Sequence, residues 1–273
     1  MSTITDRYDR NARLYARHWA PVLAPTVRRL LDVASPWLPP DGAGATILDV
    51  GAGTGSLTLA AARRWPAADI VALDPSTGML AVAGTTFGGL VSRPQRLTGA
   101  ADAVPLPDGS VDVALSSFVL QLVPDRPAAL REIRRVLRPG GRLAYVTWLD
   151  EARPFAPDDV FDEAVLDLDV DEPDEPDEDR TGDVPSPSAA AAELRRAGFR
   201  AAGGRRDTLE HRWSPAGYLD YKLAYDEVAL VSSLDRSGRA RLRALARERL
   251  DGLAADDFVW RAGVVVAWGQ RPR

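Results

Sequence analysis

Residues 47–60 read ILDVGAGTGSLTLA. Apolar, strand-prone residues run into three glycines spaced by single residues, and a helix-like stretch follows. A glycine-rich turn of this kind lets the backbone approach a ligand closely and points helix N–H groups toward it. The dinucleotide-binding form of the turn places its third glycine three residues after the second. Counting from Gly51 and Gly53, that place is Ser56; the third glycine is Gly55. A phosphate-binding P-loop needs a lysine after its glycines, and Ser56, Leu57 and Thr58 follow instead. Asp49 adds a carboxylate two residues before the first glycine. Its charge disfavours a pyrophosphate and favours an ammonium group, directly or through water. Asp74 ends the next apolar run, DIVALD (69–74), and a carboxylate there offers two acceptor oxygens to ribose hydroxyls. The loop therefore suits a nucleoside that carries an amino-acid end and no phosphate.

Strand-like and helix-like segments alternate on both sides of this loop. TILDV, DIVALD, QRLTG, VDVALSS and GRLAYVTW read as strands, with helices expected at 55–64, 76–84 and 125–137. The strands are nearly continuous apolar runs, as expected when helices cover both faces of a parallel sheet. Before the loop, Tyr8, Ala12, Tyr15 and Trp19 place an aromatic stripe on one face of a helix within 5–34, which Pro21 and Pro25 are expected to break and restart. After it, PSPSAAAAELRRAGF (185–199) reads as a capped helix, 214–252 as two helices and AGVVVAWGQ (262–270) as a strand.

Composition narrows the chemistry. The chain has 273 residues, no cysteine and two histidines, His18 and His211. That excludes thiol nucleophiles and Cys-based zinc sites, and no metal site is expected. Lys222 is the one lysine among 34 basic residues, and the net charge is -5. Arginines are spread along the chain, consistent with a GC-rich bacterial coding bias, and no basic stripe for nucleic acid is evident. Residues 167–179 carry nine acids in thirteen positions and read as a solvated loop without the spacing of a calcium loop. The opening MSTITDRYDR is polar and AGVVVAW is too short to span a bilayer, so a soluble cytoplasmic protein without a membrane partner is expected.

ILDVGAGTG (47–55), VALDPSTGML (71–80), AVPLPDGSVDVALSSFVLQLVPD (103–125) and ALREIRRVLRPGGRLAYVTW (129–148) resemble the class I S-adenosylmethionine-dependent methyltransferases, in the branch that includes quinone-biosynthesis enzymes. The resemblance implies a doubly wound α/β fold, a Rossmann-like seven-stranded sheet whose last strand is antiparallel. It implies one methyltransferase domain over 1–273: lid helices at 1–43, a cofactor core at 44–150, an acidic insertion at 151–185, further core at 186–211 and 259–273, and a helical cap at 212–258. It also implies S-adenosylmethionine as cofactor. Gly51, Gly53 and Thr54 would line its methionine end beside Asp49, Asp74 the ribose, Met79 one adenine face, and Ser117 the sulfonium. Tyr15 is either a lid tyrosine over the methionine end or a plain core aromatic. Relatives often carry an acid where Ala100 stands, so backbone near Ala101, with Asp102 as a substitute, is expected to hold the adenine edge.

Methyl transfer to a small organic acceptor, at oxygen, is the expected reaction. His18 and His211 are the candidate bases, since only they titrate near neutrality unperturbed. Trp19, Gln121, Tyr218 and Tyr221 are the expected acceptor-pocket residues, and the chain is expected to be a monomer or homodimer. Gln121 stands where many relatives have histidine and cannot act as a base. The competing readings are a cofactor-binding protein that does not methylate, a nicotinamide-dependent oxidoreductase, and a methyltransferase for an acyl-carrier protein, which would call for a basic docking patch.

Overall fold

A computed structural model describes residues 4–90, 92–168 and 179–273. Two helices, α1 (Ile4–His18) and α2 (Ala20–Ala34), precede the core. The core follows as β1 (Thr46–Val50), α3 (Ser56–Arg64), β2 (Asp69–Asp74), α4 (Thr77–Thr86), β3 (Gln95–Thr98), β4 (Val111–Ser117), α5 (Arg126–Val136) and β5 (Leu137–Trp148). Then come α6 (Ala156–Leu166), α7 (Pro187–Arg196), β6 (Arg200–Arg212), α8 (Pro215–Tyr221), a π-helical turn (Lys222–Asp226), α9 (Val228–Ser233), α10 (Arg236–Asp251) and β7 (Val259–Gln270).

The strands form one seven-stranded sheet in the order β3-β2-β1-β4-β5-β7-β6. The first five are parallel, and β7 runs antiparallel to β5 and β6, inserted between them. Alternate side chains explain the two-sided burial. Leu48 and Val50 pack with Leu73, Leu130 and Ile133 on one face, whereas Ile47 packs with Leu57, Trp65 and Leu30 on the other. The helices start where the sequence supplies a cap: Ser76 accepts from the Met79 N–H, Asp125 from Ala128 and Ser186 from Ala189. Strand order reverses between β1 and its neighbours, which opens a crevice at the carboxyl ends of β1 and β4. The glycine loop enters that crevice.

Three expectations need correction. The N-terminal helix breaks once, at Trp19, and α2 runs through Pro25. One lost backbone bond there is offset by burial of Val22, Leu23, Val27 and Leu30. RPGG (138–141), which reads from its glycines as a helix stop and turn before the strand GRLAYVTW, lies inside β5, whose register against β4 shifts there. Part of the expected acidic loop is helical: α6 buries Phe161, Ala164 and Val165 against Tyr218, Leu242 and Leu250 in the cap. Residues 169–178, the bulk of the acidic run, lie outside the described residues. Among the described residues no helix is long and apolar enough to cross a membrane.

Candidate active site

The glycine loop is held in a shape that side chains resist. Gly51 has φ +72° and Gly53 φ +53°, in the left-handed region. A Cβ on Gly51 would lie 2.2 Å from Val119, so the loop also abuts the turn after β4. The N–H groups of Gly51 and Ala52 both donate to the Leu73 carbonyl at 2.8 Å. One residue on, Asp74 accepts from Gly53 N–H (2.8 Å) through Oδ2 and from Ser76 N–H (2.9 Å) through Oδ1. Each oxygen keeps acceptor capacity. Loop, strand end and carboxylate are thus one hydrogen-bonded unit.

This unit forms the floor of a cavity of 450 Å³. The size falls within the roughly 300–1,000 Å³ of small-ligand sites. Gly51, Gly53, Asp74, Met79, Ala101, Asp102, Ser117 and Tyr15 all line it. Thr54 lies off it, in a narrow pocket of 40 Å³ that shares Tyr15, Gly51, Gly53 and Ser117. Burial raises the Asp74 carboxyl, opposed by its two backbone donors. Burial beside Tyr8 and Tyr225 holds the Tyr15 phenol protonated.

Asp49 is displaced from its expected place. It sits beneath the loop, buried, and does not line the cavity. Its Oδ2 accepts from Thr58 Oγ1 at 2.5 Å, and Oδ1 has no partner among the described residues. Burial pushes its carboxyl up to about 7, opposed by Thr58 and reinforced by Asp74. Its charge is therefore partial at neutral pH. The glycine cradle and the spare acceptor capacity of Asp74 fit a ligand that brings ribose hydroxyls to this loop.

Sequence reasoning missed part of the wall. Ile4, Thr5 and Tyr8 of α1 close one side, and Phe118, Leu122 and Pro124 close another. Tyr8 shares the stripe of Tyr15, so its signal was present. Phe118 has φ +55°, a strained value for a non-glycine residue, and its ring packs on Trp148 with centroids 4.2 Å apart. Nothing local in the sequence announces that conformation. Asp179, the last acid of the acidic run, also reaches the wall.

The other candidates do not meet the cavity. His18 is buried, and burial pulls its pKa down against the opposing pull of Asp220. His211 lies on β6 with its ring edge-on to Trp213 at 4.6 Å, and burial lowers its pKa too. Trp19 stacks on Tyr221 at 5.5 Å. Tyr218 donates to Asp158, and Tyr221 to Asp226 at 2.7 Å, which fixes both in the cap core. Gln121 is buried; its Oε1 accepts from Thr147 Oγ1 at 2.9 Å and its carbonyl from Gly182 N–H at 3.0 Å. These contacts tie the loop after β4 to β5, so the geometry gives Gln121 a fastening job.

Comparison with known proteins adds to this picture. Residues 48–145 match the family described as Methyltransferase domain. Over 98 residues the chain is 43% identical to the malonyl-acyl-carrier-protein O-methyltransferase of Xylella fastidiosa (strain M23), covering 36% of this chain and 32% of that protein. Over 126 residues it is 42% identical to the ubiquinone/menaquinone biosynthesis C-methyltransferase UbiE of Dinoroseobacter shibae, covering 45% of this chain and 50% of that protein. The match thus spans half or less of the length of these curated relatives. Among solved structures, the cyclase SpnF shares the fold with a TM-score of 0.55 at 23% identity, covering 89% of this chain and 81% of that one.

Proposed function

We propose, from the match of residues 48–145 to the family described as Methyltransferase domain, that this chain is an S-adenosylmethionine-dependent enzyme that transfers a methyl group to a small organic acceptor. One observation carries the reading. Among the described residues, the cavity wall holds Asp74, Asp102 and Asp179 but no lysine, arginine or histidine. Such a wall favours a ligand of net positive charge and opposes a pyrophosphate. S-adenosylmethionine, with a sulfonium and an ammonium against one carboxylate, is such a ligand; a nicotinamide dinucleotide is not.

In this reading Asp74 holds the ribose, Met79 covers one adenine face, and the adenine edge meets backbone near Ala101 with Asp102 beside it. Gly51 and Gly53 admit the methionine end. When bound, the cofactor supplies a methyl group on a positively charged sulfur that leaves as a neutral thioether. The chain's task is then alignment and exclusion of water, and alignment alone contributes up to ~7–11 kcal/mol in model reactions. Tyr15 and Ser117 border the end where an acceptor would arrive, and Tyr8, Ile4 and Thr5 close the side.

The methylated atom is read from what the wall lacks. The described lining holds no histidine and no lysine, and His18 and His211 stand elsewhere. An acceptor oxygen that ionises unaided, a carboxylate or an acidic phenol, needs no base, and such an anion would be drawn in by the bound sulfonium against the repulsion of the wall. O-methylation of such a group is therefore our reading. The cofactor-binding but non-methylating alternative gains no separate support from this geometry. Transfer of labelled methyl from S-adenosylmethionine to panels of carboxylates, phenols and amines tests the reading. Labelling of carboxylates or acidic phenols supports it; labelling confined to amines refutes the oxygen assignment, and binding without any transfer refutes methylation.

A further inference from the structure

The side chain of Asp9 reaches from α1 across to the first turn of α4. Its Oδ1 accepts from the Gly78 N–H at 2.7 Å and from Ser76 Oγ at 2.8 Å, with Thr77 Oγ1 at 3.4 Å. The Ser76 N–H in turn donates to Asp74 Oδ1, and Asp74 Oδ2 accepts from Gly53 N–H. A single hydrogen-bonded chain therefore runs from α1, through Ser76 and Asp74, to the glycine loop. The backbones are in contact as well: a Cβ on Gly78 would lie 2.7 Å from the Asp9 carbonyl oxygen. Tyr8, the residue before Asp9, and Tyr15, two turns on, both line the cavity. Moving α1 off α4 would therefore move one side of the cavity and loosen the neighbours of Asp74 together.

We infer that Asp9 is a positioning residue for the cofactor: it latches α1 over the cavity and, through Ser76, holds Asp74 in place for the ribose. The inference rests on the proposed cofactor, but the latch itself is a property of the ligand-free chain. An acid at this place also suits the positive end of α4, and its three donors hold the Asp9 carboxyl below its ordinary range. Asp9 is exposed, so solvent competes for its oxygens and the effect should be moderate.

Three substitutions test this. Asp9→Ala removes the acceptor. Asp9→Asn keeps an oxygen where Oδ1 stands. Gly78→Ala leaves Asp9 intact, raises the helix propensity of α4, and pushes α1 away. The first measurement is hydrogen exchange of α1 amides in the ligand-free protein; the second is the dissociation rate of S-adenosylhomocysteine. Asp9→Ala and Gly78→Ala should each speed α1 exchange and raise that rate about five- to tenfold, while Asp9→Asn stays within about twofold of the parent. Gly78→Ala should do so with α4 exchange unchanged or slower, which a general loss of stability would not produce. The latch is refuted if α1 exchange and dissociation keep parental values in both Asp9→Ala and Gly78→Ala. It is equally refuted if Asp9→Asn is as impaired as Asp9→Ala. A parent that does not bind S-adenosylhomocysteine at all would refute the proposed function, and α1 exchange alone would then decide the latch.

Discussion

Thr58 Oγ1 donates to Asp49 Oδ2 at 2.5 Å beneath the glycine loop, and among the described residues the second oxygen of Asp49 has no partner. The pair joins the end of β1 to the first turn of α3 directly behind the ligand cavity. It places a carboxyl raised to about 7 where hydration is lost.

That shift sets a pH dependence. The folded chain retains a proton on Asp49 that the unfolded chain releases near its ordinary value of 3.8. The stability it contributes is therefore complete below about pH 4 and lost as pH rises through about 7. Asp49→Asn should flatten stability between those values and raise it at pH 8 by about 2 kcal/mol, within a ceiling of about 4 kcal/mol. Denaturant titrations across pH 4–9 measure this; a parallel pH profile in parent and variant would contradict it.

Asp74 should matter for binding more than any other wall residue. Asp74→Ala removes the ribose acceptor and releases Gly53 N–H and Ser76 N–H. Loss of a charge-assisted hydrogen bond of about 1.5–3 kcal/mol corresponds to about 10–100-fold in affinity for S-adenosylhomocysteine. Calorimetry reads this directly, and an unchanged affinity would move the ribose elsewhere.

Gln121 should behave as a fastener. Gln121→Ala leaves the buried Thr147 hydroxyl without its acceptor, at a cost of roughly 1–3 kcal/mol in unfolding free energy. Affinity for the cofactor and the KM of an acceptor should change by less than about threefold, as for a group outside the binding contacts. A large rise in acceptor KM at unchanged stability would restore Gln121 to the acceptor pocket.

The histidines should be dispensable for proton transfer. Replacing His18 and His211 together with glutamine should leave methyl transfer within about tenfold of the parent, below the usual 10²–10⁴-fold contribution of a general base. The pH profile should keep its shape between 5 and 8. A fall of a thousandfold, or loss of an inflection in that range, would return one of them to the mechanism.

The core was legible because its signals are local. Continuous apolar runs, caps such as Ser76 and the glycine spacing each lie within a few residues of what they specify. The position of Asp49 was not legible, because whether a carboxyl lines a cavity or lies behind it depends on how β1 and α3 pack. The cap was harder still. The spacing of Tyr218 and Tyr221 marks a shared face, but Asp158 and Asp226, which take their hydroxyls, decide that the face is core. In α6 the acids Asp158, Asp159, Asp162 and Glu163 mask the apolar stripe of Phe161, Ala164 and Val165. Asp9 gave no sign, since Ser76 and Gly78 lie 67 and 69 residues away.

Calorimetric titration of the intact chain with S-adenosylmethionine, S-adenosylhomocysteine and NAD tests the central claim most directly. A cavity walled by Asp74, Asp102 and Asp179 should bind both adenosyl ligands at one site and leave NAD unbound, with added salt weakening the cationic S-adenosylmethionine more than its neutral product. Binding of NAD with no heat from either adenosyl ligand would contradict the account.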